Sequence, residues 1–344
     1  MLLETNEMSV LVSILIPAYN VAKWLPYTVE SALSQTWLNT EVIIVDDGSS
    51  DEILSVARSF ESSRVKVVTQ ENRGAAAARN HALSLAQGDY IQWLDADDLL
   101  APDKISEQLK KSDIRGGQVL LSSTFGEFFC RPERAVFSPT PLWQDLSPVD
   151  WIVTKFANNI WMNPAVWLVS RELTEAVGPW NESLSLDDDG EYFCRVVAKS
   201  KFVKFVPTAK SYYRRWSAGS LSKSTSLGAC RSLLTSLKLS FEYLLELEDS
   251  PRTRTAALSY LQVWFHYFYP DKTELIEEAQ MLARKLGGCL QPPKLPRKYE
   301  LIRRLFGWEI AYTSMRTVAT SKLRLYRTLD EMLWKLSRRK EARL

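Results

Sequence analysis

The sequence predicts an α/β protein, a mainly parallel sheet flanked by helices, followed by a helical C-terminal region. Three observations predict it. Short Val- and Ile-rich runs alternate with helical stripes through the first hundred residues. Polar side chains gather where three of those runs end. From Thr225 onward the apolar spacing becomes helical.

The runs at 10–16, 41–45, 65–69 and 90–94 are nearly unbroken apolar stretches, as expected of strands buried on both faces. Leu25, Val29, Ala32 and Leu33 form a helical stripe between the first two, with Pro26 where a first turn tolerates it. Segments 53–60 and 75–86 supply the next helices, and the second is so rich in Ala that it must pack closely on the sheet. Such alternation implies parallel strands joined by right-handed crossovers. Ligands of such sheets sit beyond the carboxyl ends of the strands.

Residues 118–216 read as mixed, with strands at 119–122 and 202–206, a Pro-rich connection near 139–148 and a helix after Gly190. Beyond them come helices at 227–247, 252–267 and 273–286, then two more after the Pro292-Pro293-Lys294-Leu295-Pro296 breaker. A boundary near Lys223 divides the chain into 1–223 and 224–344.

The 344 residues carry 46% apolar and 24% charged side chains, the balance of a globular protein. A net charge of +2 gives no reason to expect nucleic acid as a partner. Cys130, Cys194, Cys230 and Cys289 form no CxxC pair and read as free thiols of a reducing compartment. His81 and His266 are the only histidines. That argues against a His/Cys zinc site and leaves carboxylates to hold any metal, as a hard cation. The N-terminus lacks a basic signal-peptide region. The apolar stretches at 10–18 and 151–169 are interrupted, so no transmembrane segment is expected. The expected location is the cytoplasm, either free or at the inner face of a membrane.

Three carboxylates in four residues, at Asp95-Ala96-Asp97-Asp98, repel one another unless a cation or donors neutralise them. Metal binding is favoured over a helix N-cap, because capping needs one Asp and not three. Asp46-Asp47-Gly48-Ser49 reads alone as a polar turn. Its place at a strand end on the same rim lets Asp47 accept hydrogen bonds from a ribose or a base. Asn72-Arg73-Gly74 opens a helix carrying Arg79, suited either to phosphate or to pairing with a rim carboxylate. Asp187-Asp188-Asp189-Gly190 precedes the stripe Phe193, Val196 and Val197; one Asp is a cap or one is a catalytic carboxylate, and the segment alone leaves both open.

Four blocks in order, 13–20, 41–49, 72–80 and 88–98, resemble family 2 glycosyltransferases, inverting enzymes of GT-A fold. The resemblance implies a nucleotide-sugar site of Pro17, Tyr19, Asp47, Arg79 and Asp95, with Tyr19 and Asp47 against the base. It implies that Asp97, with Asp95, ligates Mn²⁺ or Mg²⁺ between the phosphates of a UDP-, GDP- or dTDP-sugar. The family's Glu-Asp pair, six residues before an Arg, matches Asp188-Asp189 ahead of Arg195. That makes Asp189, or else Asp188, the base that deprotonates a saccharide or lipid-linked acceptor. Tyr212 to Ser222 resembles the family's Tyr-Arg…Ser-Leu-Ser stretch, with Trp216 near a common His and Arg214 or Arg215 left for the diphosphate. Rival readings are a nucleotidyltransferase, a non-catalytic sugar-nucleotide binder and a structural adaptor. The first would show a Gly-rich, Lys-containing loop, and the second would lack the Asp187–Asp189 carboxylates.

Acceptor choice is expected to depend on loops around 125–161 and on the tail. From Arg297 on there are 13 Lys/Arg against 5 Asp/Glu. Leu323, Tyr326, Leu329, Leu333 and Leu336 form one apolar stripe there. The helix bearing it is expected either to lie on an anionic membrane or to pack on the catalytic domain or in a homo-oligomer.

Overall fold

The computed structural model describes residues 10–112, 118–215 and 224–341. In order come β1 (Val12–Ala18), α1 (Leu25–Leu33), β2 (Thr40–Asp46), α2 (Ile53–Arg58), β3 (Val65–Thr69), α3 (Ala75–Leu85) and β4 (Tyr90–Trp93). The four strands are mutually parallel in the order β3-β2-β1-β4. A short antiparallel strand, β8 (Val169–Ser170), completes that sheet beside β4.

Both faces of this sheet are covered, which is why its strands read as unbroken apolar runs. Val12, Ile14 and Ile16 of β1 pack with Leu25, Val29 and Ala32 of α1 on one face. Leu15, Ile43 and Val45 face the other way, against Ala76, Ala78 and Ala82 of α3. The alanines bring that helix close, as their spacing predicts.

A second sheet has the order β5-β9-β6-β7, from β5 (Leu99–Leu100), β6 (Val119–Phe128), β7 (Val136–Phe137) and β9 (Phe202–Arg214). Strands β6 and β9 run well past the residues that the apolar pattern marks. Ser122, Ser123, Thr124 and Ser211 break the pattern, yet all are buried between paired strands. Backbone pairing and close packing, not hydropathy, extend these strands.

Helices α4 (Lys104–Leu109), α5 (Pro148–Asn158), α6 (Arg171–Val177) and α7 (Asp188–Lys199) complete this part of the chain. Helix α7 begins at Asp188, two residues before the expected start at Gly190. Beyond it lie α8 (Leu227–Leu247), α9 (Pro251–Trp264) and α10 (Thr273–Lys285). Leu233, Leu237 and Phe241 of α8 and Ala257 of α9 share one core with Trp93, Trp151 and Phe193. The boundary position Lys223, and the stretch from Trp216 to Ser222, lie outside the described residues.

The last helix, α11 (Arg297–Glu341), is broken at Gly307, where φ is +84°. Its far end returns to the first part of the chain. Trp334 lies 5.5 Å from Trp24 and 6.2 Å from Tyr27, while Asp330 pairs with Arg131 and Glu331 with Lys23, each at 2.7 Å. The expected stripe faces elsewhere: Tyr326, Leu329, Leu333 and Leu336 are exposed. Among the described residues no helix is long and apolar enough to cross a membrane. The four cysteines are all free, three of them buried.

Candidate active site

One cleft of about 670 Å³ opens at the carboxyl ends of β1, β2 and β4, lined by Pro17, Tyr19, Asp47, Arg79, Asp95 and Asp97, and by Asp188 and Asp189 from α7. The candidate residues from five separate segments thus meet on one wall. Arg195 does not reach it. Its guanidinium bonds Glu191 and the carbonyls of Val177 and Pro179, anchoring the loop ahead of Trp180.

At the first rim position Tyr19 is 53% exposed, a free aromatic face beside the cleft. Asn20 sits in the left-handed region at φ +50°, and its Oδ1 accepts from the Ser50 N–H at 2.8 Å. The β1 and β2 loops are therefore tied together.

Asp47 is buried although it lines the cleft. Its Oδ1 accepts from Gln70 Nε2 and the Arg73 N–H, and its Oδ2 from the Gly74 N–H, all within 2.9 Å. The carboxylate holds the turn that starts α3, so turn and rim roles coincide in one side chain. Gly48 is required beneath it. Its φ is +67°, and a Cβ would stand 2.7 Å from the Asn72 nitrogen.

The acidic cluster divides. Asp95 and Asp97 are half-buried in the cleft wall. Asp98 points inward, so the expectation that all three crowd one rim is corrected. Its Oδ1 accepts from the Arg214 N–H at 2.7 Å, and its Oδ2 has no partner. Burial, and then the charges of Asp97 and Asp95, push its carboxyl well above the usual range. None of the three caps a helix; the residue before α4 is Asp103. Arg214 also serves the turn: its Nε donates to the Asp97 carbonyl at 2.7 Å, and its guanidinium lies 3.9 Å from the Trp24 ring centroid. Arg215 pairs with Glu127 at 3.2 Å.

Arg79 is the hub. Its Nη1 donates to Asp188 at 2.8 Å and its Nη2 to Asp95 at 2.9 Å, with the guanidinium 4.3 Å from the Trp180 centroid. Burial opposes the charge, but Asp95, Asp188 and Asp189 outweigh it and hold the guanidinium protonated. Of the two roles open to Arg79, pairing with rim carboxylates is the one seen.

The three acids at α7 have separate surroundings. Asp187 precedes the helix in the left-handed region, at φ +66°, and accepts from Ser236 Oγ at 2.6 Å rather than capping. A Cβ on Gly190 would stand 2.1 Å from Asp187 Oδ1, so this glycine makes room for Asp187. Burial raises Asp187 to about 6, against the opposing charge of Lys155. Burial raises Asp188 to about 7, against Arg79, with Asp189 and Asp95 adding to the rise. Asp189 is also raised, by burial first. It is half-buried in the cleft, lies inside the first helical turn rather than before it, and accepts from the Gly190 N–H at 2.9 Å.

Sequence reasoning missed a second arm of the cleft. Lys155, Trp161, Asn163, Tyr213, Tyr260 and Trp264 line it. The loops around 125–161 and the stretch from Tyr212 pointed to parts of it, but not to their meeting, because these residues come from two helices, a loop and a strand with no common motif.

Residues 13–141 match the family described as glycosyl transferase family 2. Glycosyltransferase GlyG of Streptococcus pneumoniae is 29% identical over 244 residues, 66% of this chain and 78% of that protein. The Escherichia coli UDP-Glc:alpha-D-GlcNAc-diphosphoundecaprenol beta-1,3-glucosyltransferase WfaP is 47% identical over 100 residues, 29% of this chain and 40% of that one. The S. aureus TarS structure in complex with UDP-GlcNAc aligns at TM-score 0.61 and 16% identity, over 80% of this chain and 78% of that one, a likeness of fold.

Removing the hub tests this geometry. Arg79→Met leaves Asp95 and Asp188 without their shared partner and is expected to cost about 3 kcal/mol or more. Arg79→Lys should restore little, since one ammonium cannot replace a two-pronged fork. Denaturant unfolding measures both, and an unchanged midpoint for Arg79→Met would contradict the role given to it.

Proposed function

Since the chain is a family 2 glycosyltransferase of GT-A fold, we propose that it moves a sugar from a nucleotide-diphosphate donor to a hydroxyl of a saccharide or lipid-linked acceptor, inverting the anomeric carbon. The catalytic part is residues 1–223. The observation that carries this reading is the meeting of Asp95 and Asp97, at a strand end, with Asp189, at a helix start, in one cleft.

Tyr19 offers its free face to the base, with Pro17 and Asp47 beside it. Two carboxylates fit a Mn²⁺ or Mg²⁺, which usually takes one or two from the protein and other oxygens from substrate phosphates. Among the described residues no group of three or more His, Cys, Asp or Glu could hold a metal alone. Bound at Asp95 and Asp97, the metal would offset the charge of the departing diphosphate.

Asp189 is the base. Asp188 is committed to Arg79, whereas Asp189 bonds only its neighbouring N–H among the bonds seen. The acceptor oxygen attacks the anomeric carbon as its proton passes to the Asp189 carboxylate. The bond from that carbon to the phosphate oxygen breaks, and the electron pair leaves with the nucleoside diphosphate. Holding both substrates in line contributes more than proton transfer.

The tail supports membrane contact. Leu325, Leu329, Leu333 and Leu336 are exposed on a helix that also carries Arg324, Arg327 and Lys335. Such a helix suits the anionic, cytoplasmic face of a membrane that bears a lipid-linked acceptor.

Three outcomes follow from this reading. A panel of UDP-, GDP- and dTDP-sugars with Mn²⁺ should yield one that binds and is turned over with release of the nucleoside diphosphate. Chelator should abolish both, with Asp97→Asn the most damaging single change at the cluster; full activity in excess chelator would contradict the metal role, and pyrophosphate release would favour a nucleotidyltransferase.

Because the Asp189 carboxyl is raised, the base is protonated and idle at low pH. Transfer should therefore rise with pH along a limb above the ordinary carboxylate value of about 4. Asp189→Asn should lower transfer by ~10²-fold and flatten that limb, with donor affinity and melting temperature held. Near-normal transfer by both Asp188→Asn and Asp189→Asn would put the base elsewhere.

Full-length protein should sediment with anionic liposomes at low salt and less at high salt. Leu329→Glu combined with Leu333→Glu should abolish sedimentation; unchanged sedimentation would rule out docking by this stripe.

A further inference from the structure

The second arm of the cleft has a composition that the donor side does not explain. Trp161 is 43% exposed, yet it is braced by Tyr213 at 4.8 Å and by Phe125 at 5.1 Å. A large aromatic ring is thus braced at the cleft while part of its surface stays exposed. Two residues on, Asn163 is only 1% exposed, and neither its Nδ2 nor its Oδ1 has a partner. A buried amide with both ends unmatched is destabilising, and native proteins keep few such groups without a role. Lys155, 6% exposed, lines the same arm, with its Nζ 5.9 Å from the Tyr260 centroid.

We propose that this arm is the acceptor subsite and that it takes a neutral pyranose residue, stacked on Trp161 and hydrogen-bonded through Asn163. The proposal rests on the transferase reading given above. A pyranose presents an apolar face of C–H groups, which an aromatic plane covers, and a rim of hydroxyls. Each hydroxyl is both donor and acceptor, so adjacent hydroxyls match the free N–H and free C=O of one amide. A hydrocarbon chain would leave Asn163 unmatched, and a bare alcohol would leave Trp161 unused.

Charge selects the neutral sugar. The ammonium of Lys155 is already offset by Asp187 and Asp189, which act with Tyr260 to keep it protonated although burial opposes this. Asp188 and Asp95 lie further along the same cleft, with Arg79 shared between them. An acidic sugar would meet the repulsion of those carboxylates. The sheet order sets direction. Asp47, just past the end of β2, lies two strands from β4 and its Asp95, while Arg79 joins Asp95 to Asp188 of α7. A donor reaching from Tyr19 to the metal carboxylates leaves this arm to the second substrate.

The test uses full-length protein with its donor and Mn²⁺. The acceptor probes are methyl glucoside, methyl galactoside, methyl N-acetylglucosaminide and methyl glucuronide. Trp161→Ala should raise the KM for the preferred neutral glycoside by about tenfold, with the donor Kd from calorimetry unchanged, and Trp161→Phe should recover most of the loss. Asn163→Leu separates binding from folding. It removes two unmatched polar atoms, so the melting temperature should hold or rise while acceptor KM rises. A lower melting temperature with unchanged acceptor KM would show that Asn163 is structural and overturn the proposal. So would weakened donor binding by Trp161→Ala, or preference for the glucuronide. If the wild-type chain neither binds nor turns over any nucleotide sugar, it is the transferase reading that fails. Quenching of tryptophan fluorescence by the same glycosides then judges the arm alone, and no quenching lost in Trp161→Ala counts against it.

Discussion

The ion pairs of Arg79 tie together the polar ends of three parts of the chain whose apolar residues share one core. Arg79 comes from α3, Asp95 from the end of β4 and Asp188 from the start of α7, 109 positions from Arg79 in sequence. The guanidinium is buried against Trp180, and Trp180 stacks on Tyr192 at 3.9 Å. A buried pair of this kind adds little net stability over an apolar substitute, but losing one partner is expensive. Its value lies in geometry. It fixes the span between the strand end that would hold a metal and the helix that would hold a base, which is the distance an in-line displacement has to keep.

Crowded carboxylates become tolerable by being given different neighbours. Asp98 turns inward to the Arg214 N–H, Asp187 turns back to Ser236, and Asp188 shares Arg79 with Asp95. Four acids are thereby given protein donors, and Asp95, Asp97, Asp188 and Asp189 together line the cleft. The raised carboxyls of Asp187 and Asp188 are the cost of this arrangement: as pH rises from the ordinary carboxylate value of about 4 to about 6 and 7, burial works against their ionised forms and the fold loses stability. A cleft that binds a cation between Asp95 and Asp97 would ease the same repulsion.

The parallel sheet was legible in the sequence because burial on both faces writes unbroken apolar runs, and the rim was legible because strand ends carry the polar residues. Tyr19, Asp47, Asp95 and Asp97 could be placed on that rim for this reason, and Arg79 near it from the Gly turn that opens α3. The long strands β6 and β9 were not, since Ser122, Ser123, Thr124 and Ser211 are buried by backbone pairing that hydropathy does not record. The roles of Asp98 and Asp187 were hidden too. Each depends on one partner far along the chain, Arg214 or Ser236, and spacing alone cannot separate an inward carboxylate from an outward one. The start of α7 was displaced by two residues because Gly190 looks like a helix boundary. Its absent side chain in fact makes room for the Asp187 carboxylate.

The two sides of the cleft also differ in how they are built, and this bears on what each can recognise. The donor side rests on backbone: Asp47 holds N–H groups of the turn before α3, and the Asn20 side chain holds the loop after β2. Such a frame tolerates few changes, because each substitution frees a buried donor or acceptor. The aromatic arm rests on side chains from α5, the 159–163 loop, β9 and α9, and its helices share a core with α8 and the sheet. Helix packing accepts substitutions of similar volume at lower cost. A fold made this way can keep one nucleotide-binding frame while its helical region alters the second arm. Under the proposed acceptor subsite, the choice of acceptor would lie in the part of the chain with the weaker sequence signature, outside the motifs of the first hundred residues.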